Sequence, residues 1–321
     1  MSTCRYCGAS VPNGSQFCRG HNIAYRNRLI KAQRNGRDFI AINGRSVCVA
    51  TELSLFGWGS QVVVESAPQS TSYAITGAFR KFGIELETIA SRSDDFNRIS
   101  ELAQAEGTRI NSEGYNHSTR RHWKLVTDGS LHGGVGREFV SPPFEDEDKA
   151  REDILRVCES MDLFGLKVNN TCGFHVHLDA SDLTAKQIAR VVKFYRDYEE
   201  QIDELHQRSR RGNSSTYTGT LRGSDFNPDT INSLSQLTRI YSSRYLKVNL
   251  CAYARHGTLE FRQHGGTINY TKIMKWVKLC TRIVEYAKTD LPIDPSIPLE
   301  TALNLTQAEK LYWAARKRQL A

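Results

Sequence analysis

From residue 78 onward, apolar and polar side chains alternate in short runs. Because successive side chains of a strand point to opposite faces, this pattern predicts strands over 82–90, 122–127, 137–141, 172–179, 245–254 and 257–264. Between and after them, apolar residues return at helical spacing and predict helices over 94–106, 146–164, 184–206, 270–287 and 306–318. The helix at 184 has Asp182 or Thr184 as N-cap, with Ile188, Val191, Val192 and Tyr195 on one stripe. The polar, Gly- and Ser-rich stretch 207–230 carries Arg208, Arg210, Arg211 and Arg222, and reads as a mobile lid that swings cations toward an anion. Upstream lie a Cys- and Gly-rich segment over 1–22, a basic helix over 23–36 and a short strand from Phe39 to Ile42. The chain divides accordingly into an N-terminal module with its basic helix (1–35), a connecting segment (36–77), a main domain (78–290) and a helical tail (291–321).

The polar halves of these strands carry unusual chemistry. In FGIELE, Glu85 and Glu87 share a face opposite Ile84 and Leu86; in GFHVHLD, His175, His177 and Asp179 lie opposite Phe174, Val176 and Leu178. In GTLEFRQH, Thr258, Glu260, Arg262 and His264 share a face, and in REFVSPP Glu138 alternates with Phe139. A sheet with one wet face usually fills it with Lys, Thr, Ser and Gln. Here carboxylates and imidazoles occupy it with one Arg, and carboxylates so gathered repel unless cations sit among them. Such a face suits Mg²⁺ bridged by phosphate oxygens. His-x-His on a strand is also what a zinc- or iron-dependent hydrolase would carry. Asp128-Gly129-Ser130 is compatible with a simple turn, and no Walker-type phosphate loop occurs in the chain.

The N-terminus adds a second metal motif. Cys4-x2-Cys7, ten residues, then Cys18-x2-His21 supplies two close ligand pairs for one tetrahedral Zn²⁺, with Gly8, Pro12, Gly14 and Gly20 for the turns. The expected role is structural. The remaining cysteines, Cys48, Cys158, Cys172, Cys251 and Cys280, read as packing residues. Net charge is +8 in 321 residues, which favours an anionic partner, a nucleotide, a nucleic acid or an acidic substrate. No apolar run is long enough to span a bilayer and the first residues lack a secretory core, so no membrane partner and a cytoplasmic location are expected.

At its strand motifs the chain resembles the amidoligase family, within the wider carboxylate–amine ligase superfamily of glutamine synthetase and glutamate–cysteine ligase. The resemblance is carried by FGIELE (82–87), WKLVTDGSL (123–131), REFVSPPF (137–144), GFHVHLD (173–179), RYLKVNL (244–250) and HGTLEFRQHGGTIN (256–269). It covers residues about 78–290 and leaves the zinc module outside. It implies an α+β fold, an antiparallel sheet bent into a partial barrel with flanking helices, holding ATP and two or three Mg²⁺ on its concave face. It further implies that Glu85, Glu87, Glu138, His175, His177, Glu260 and Arg262 serve ATP and Mg²⁺, with Arg262 on phosphate. Asp128, Ser130, Arg244 and Asn249 fall on the substrate side, and Asp128, Glu138 and Arg262 are the catalytic candidates. The implied reaction is amide formation through an acyl phosphate, between a carboxylate and an amine whose identities the motifs do not specify. A nucleic acid or a protein is an open choice of acceptor. Two other readings stand beside it: a nucleic-acid-binding accessory protein using the zinc module and basic surface, and a metal-dependent hydrolase using His175 and His177.

Overall fold

The computed structural model describes residues 79–321, together with residues 2–3, 10–11, 29, 39–42 and 45–48. The zinc ligands Cys4, Cys7, Cys18 and His21 lie outside the described residues, as does the basic helix over 23–36 apart from Leu29, which is helical. Near the N-terminus, β1 (Ser2–Thr3) pairs with β2 (Ser10–Val11), and β3 (Phe39–Ile42) with β4 (Arg45–Cys48), both antiparallel. The pattern had marked only β3 of these four.

Alternation becomes strand where it is longest: β5 spans Phe82–Ala90, as the pattern predicts. It is followed by α1 (Asp94–Ala105), β6 (Ile110–Ser112), β7 (Trp123–Val126), β8 (Val135–Val140), α2 (Glu147–Leu163), β9 (Phe174–Asp179), α3 (Ala185–Asp197) and α4 (Glu199–Asp203). Then come α5 (Leu234–Ile240), β10 (Val248–Asn249), α6 (Cys251–His256), β11 (Thr258–Phe261), α7 (Tyr270–Ala287), α8 (Leu299–Ala302) and α9 (Gln307–Leu320). The fold is α+β, built on an open seven-stranded sheet in the order β10-β11-β9-β5-β8-β7-β6 with flanking helices. The pairs β10–β11, β11–β9, β9–β5 and β7–β8 run antiparallel.

Two compact units are distinguished. In the one that contains Ala90–Asn111 and Asp148–Leu166, α1 buries Phe96, Ile99 and Ala103, and α2 buries Ile154, Val157 and Met161. Thr108 donates to Asp153 there at 2.9 Å. The other, made of Ile75–Ile89, Ser112–Glu147 and Lys167–Ala321, holds every residue of the site described below. In it the apolar halves of the strands (Ile84, Leu86, Phe139, Phe174, Val176, Leu178, Leu259, Phe261) are fully buried. Tyr195 of α3 packs on Phe261 at 5.9 Å between rings, and Phe194 on Tyr286 of α7 at 4.7 Å. Thr184 is the N-cap of α3, closing a capping box with Gln187.

Three expectations are corrected. The strand expected over 245–254 is only two residues long, because Asn249 accepts from Cys251 N–H at 2.8 Å and starts α6, which ends on left-handed Gly257. His264 leaves the polar face, because β11 stops at Phe261 and alternation stops with it; the imidazole packs in the core between Phe174, His206 and Trp276. Cys251 is exposed rather than packed, whereas Cys158, Cys172 and Cys280 are buried. The stretch 207–230 includes two 3-10 turns (Arg208–Arg210, Pro228–Thr230), and its arginines are tied down: Arg208 to Ala321 O, Arg210 to Cys172 O, Arg211 to His206 O and Leu320 O, Arg222 to Glu200. Each of the four arginines of the expected lid thus has a partner in this structure.

Candidate active site

Sheet register assembles the polar face. In the antiparallel ladder Glu85 of β5 stands opposite His175 of β9, His177 of β9 opposite Glu260 of β11, and Glu260 opposite Asn249 of β10. Directly opposed residues on one face have Cβ atoms about 5 Å apart, so these side chains must meet. His175 Nδ1 lies 3.0 Å from Glu85 Oε2 and 3.6 Å from Glu260 Oε1, and its Nε2 lies 3.8 Å from Glu87 Oε1. His177 Nε2 is 3.3 Å from Glu85 Oε1 and 3.9 Å from Glu260 Oε1, while its Nδ1 shares a 3.1 Å hydrogen bond with Thr258. Arg262 pairs with Glu260 Oε1, and Asn249 Nδ2 donates to Glu260 Oε2 at 2.6 Å.

Glu138 completes the set from β8, opposite Val126 of β7. Ligand atoms of Glu85, His175 and Glu260 lie within 4.8 Å of one another, and so do those of Glu87, Glu138 and His175. His175 is common to both triads. Gly173 makes room for them: a Cβ there would stand 2.7 Å from His175 Nε2, and its N–H donates to Glu87 Oε2.

The remaining candidates are placed differently. Asp128 lies two residues past Val126, near enough for its charge to act on Glu138, and its Oδ1 accepts from Ser130 N–H and Oγ–H, both at 2.7 Å. Ser130 thus fixes Asp128 in a local turn. Arg244 is exposed, with its guanidinium 5.3 Å from the Tyr245 ring, and stays off the carboxylate face. The sequence reading missed Arg210, placed there on the lid. It is 4% exposed, with a buried Nε that has no partner, and its charge acts on Glu87. No local pattern marks an arginine whose position is set by a loop folding back on Cys172.

The electrostatics are those of an anionic cluster with internal cations. Burial opposes ionisation of Glu85, but the charge of His177 and the hydrogen bond of His175 hold its pKa well below the usual carboxylate range. Burial likewise opposes ionisation of Glu260, and Arg262 and His177 outweigh it. Burial would lower the pKa of His177, yet Glu260 and Glu85 raise it. At Glu138 the balance is the reverse: burial, then Glu85, Glu87, Asp128 and Glu260, push its pKa well up, although Lys124 of β7 is near enough to feel its charge. Negative charge therefore predominates around Glu138.

The donor set fits divalent cations. Carboxylates dominate both triads, as a hard cation requires, and His177 Nε2 is buried without a properly directed hydrogen bond.

The sheet thus gathers four glutamates and two histidines on one face, with Arg262 following the end of β11. A family model described as "Putative amidoligase enzyme" matches residues 79–284, and the chain belongs to that family. No curated protein matches the chain. Among the described residues no helix is long and apolar enough to cross a membrane.

Proposed function

We propose that the protein is an ATP- and Mg²⁺-dependent carboxylate–amine ligase working through an acyl phosphate. The observation that carries this reading is the pair of adjoining triads sharing His175, with Arg262 beside one of them, in a chain of the amidoligase family. Glu85 and Glu260 would hold one Mg²⁺ and Glu87 and Glu138 a second, with His175 between them offering its one acceptor nitrogen to either. Bound there, the ions would neutralise phosphate charge and orient the triphosphate.

The chain's own groups account for the rest. A substrate carboxylate oxygen attacks the γ-phosphorus, the bond to the β-phosphate oxygen breaks, and ADP leaves with that electron pair. Arg262, planar and always charged, meets the negative charge that develops on the phosphoryl oxygens. The amine nitrogen then attacks the acyl carbon and phosphate departs. Asp128 stands outside both triads with its Oδ2 unengaged, and takes the proton that the nitrogen loses. A predominance of carboxylates over imidazoles favours this over a zinc-type hydrolase built on His175 and His177.

Purified protein given Mg·ATP and a mixed panel of carboxylates and amines is expected to release ADP and phosphate in step with amide formation. Glu85→Gln with Glu87→Gln is expected to abolish both products and Mg·ATP binding by calorimetry, with the fold intact by circular dichroism. Unchanged Mg·ATP affinity in the double variant, or wild-type protein that binds no Mg·ATP, removes the reading.

A further inference from the structure

Beside Arg262 the site opens onto a rim of aromatic and cationic groups. Arg262 Nε donates to the carbonyl of Tyr217 at 3.5 Å, so the carboxylate face runs directly into this residue. Two residues on, Gly219 bridges to the segment before β10: its N–H donates to Tyr245 O at 2.7 Å, and its carbonyl accepts from Lys247 N–H at 3.0 Å. The approach is close enough that a Cβ on Gly219 would stand 3.3 Å from Tyr245 O. The pairing fixes Tyr217 and Tyr245 side by side, ring centroids 5.6 Å apart and edge to face. Arg244 lies over the Tyr245 ring and has no carboxylate partner among the described residues. The tyrosines are 47% and 42% exposed, so a backbone bridge holds in place two rings that the core does not use.

We propose that Tyr217, Tyr245 and Arg244 form the platform for the purine base of the nucleotide cosubstrate, whose phosphates reach Arg262 and the carboxylate face. This rests on the ATP-dependent reading above. A base offers a π face to tyrosine and to a guanidinium plane, and such stacking is tolerant of geometry. A purely aliphatic amine would gain little from Arg244, and a bare carboxylate little from two tyrosine rings. A nucleotide uses both, because it joins a planar base to an anion.

The test compares Mg·ATP with Mg·tripolyphosphate by calorimetry, in wild type and in Tyr217→Ala, Tyr245→Ala and Tyr245→Phe. Each alanine is expected to weaken Mg·ATP about tenfold while tripolyphosphate stays within about twofold, and the phenylalanine variant is expected to keep ATP affinity. Unchanged ATP affinity in both alanine variants overturns the platform, and so does equal loss for the two ligands. An oligoribonucleotide whose binding falls while ATP affinity holds assigns the rim to a nucleic acid and also overturns it. Wild type that binds neither ATP nor tripolyphosphate removes the ligase reading, and the platform with it. Wild type that binds both equally well removes the platform alone.

Discussion

Arg262 is 7% exposed, bonded to Glu260 of the strand it follows and to Tyr217 O beyond it. A lysine could replace one of these contacts and not the other, since an ammonium on a flexible stem lacks the planar fork. If Arg262 only braced the strand, Arg262→Lys would cost stability and little rate. As a clamp on developing phosphoryl charge, it is expected to lose about 100-fold or more in turnover, with at most about 2 kcal/mol of stability lost in urea. Turnover near wild type in that variant would take Arg262 off the catalytic list. At this scale alternation was a sound guide: Glu85, His175, His177 and Glu260 meet as their spacing requires, because all four lie inside paired strands. It failed at His264, which follows the last paired residue of β11, and had no purchase on Arg210, whose place depends on a loop.

Among the elements, α4 carries a buried network that no periodicity reveals. Lys247 is 0% exposed and its Nζ lies 2.7 Å from Glu199 and 2.6 Å from Asp203. Glu199 also accepts from Leu221 N–H and Thr220 Oγ–H, and Asp203 from Gly212 N–H and from Gln263 Nε2. One ion cluster thus fastens the 207–230 segment to the strand-end that carries Arg262. Lys247→Met leaves the buried Glu199 and the partly buried Asp203 without their cation and is expected to cost about 3–5 kcal/mol in urea unfolding. Glu199→Gln added to it should return part of that loss, and a single lysine variant as stable as wild type would contradict the network's role. Element by element, long amphipathic stretches such as β5 and α7 could be read to the residue, because one face is buried throughout. Short pieces such as β6, α5 and α6 escaped, since three to seven residues hold at most about two periods, too few to stand out, and their turns come from side chains such as Asn249. For the N-terminal element the spacing of Cys4, Cys7, Cys18 and His21 makes its own prediction. Full-length protein is expected to hold one Zn²⁺ that Cys4→Ser with Cys7→Ser removes, with Mg·ATP binding retained, by metal analysis and calorimetry.

Taken as a whole, the molecule hides two neutral imidazoles in its core, and they set its response to acid. His206 and His264 are 1% and 4% exposed, their rings 5.4 Å apart and each against Trp276. Burial pushes the pKa of His264 down to about 3, although its Nδ1 donates to Gly265 O at 2.6 Å. Burial first, and then the charge of His264, puts His206 well below its ordinary value as well. In the unfolded chain both would titrate near 6.5. Folding stability from these groups is therefore complete above about pH 6.5, and is lost as pH falls toward the folded values, because only the unfolded state takes up the protons. The slope is at most about 1.4 kcal/mol per pH unit for each imidazole, which bounds the loss from the pair at about 4 kcal/mol by pH 5. His177 works in the opposite sense: its raised pKa gives stability that is present below about pH 6.5 and lost as pH rises through the folded value. The wild-type loss is accordingly smaller than the pair alone would give, and a comparison of variants separates the two. His206→Gln with His264→Gln is expected to be less stable than wild type at pH 7.5, yet to lose less, by at most about 4 kcal/mol, on going to pH 5, measured by urea unfolding in metal-free buffer. An equal loss in the two proteins would show that the buried imidazoles do not govern the acid limb.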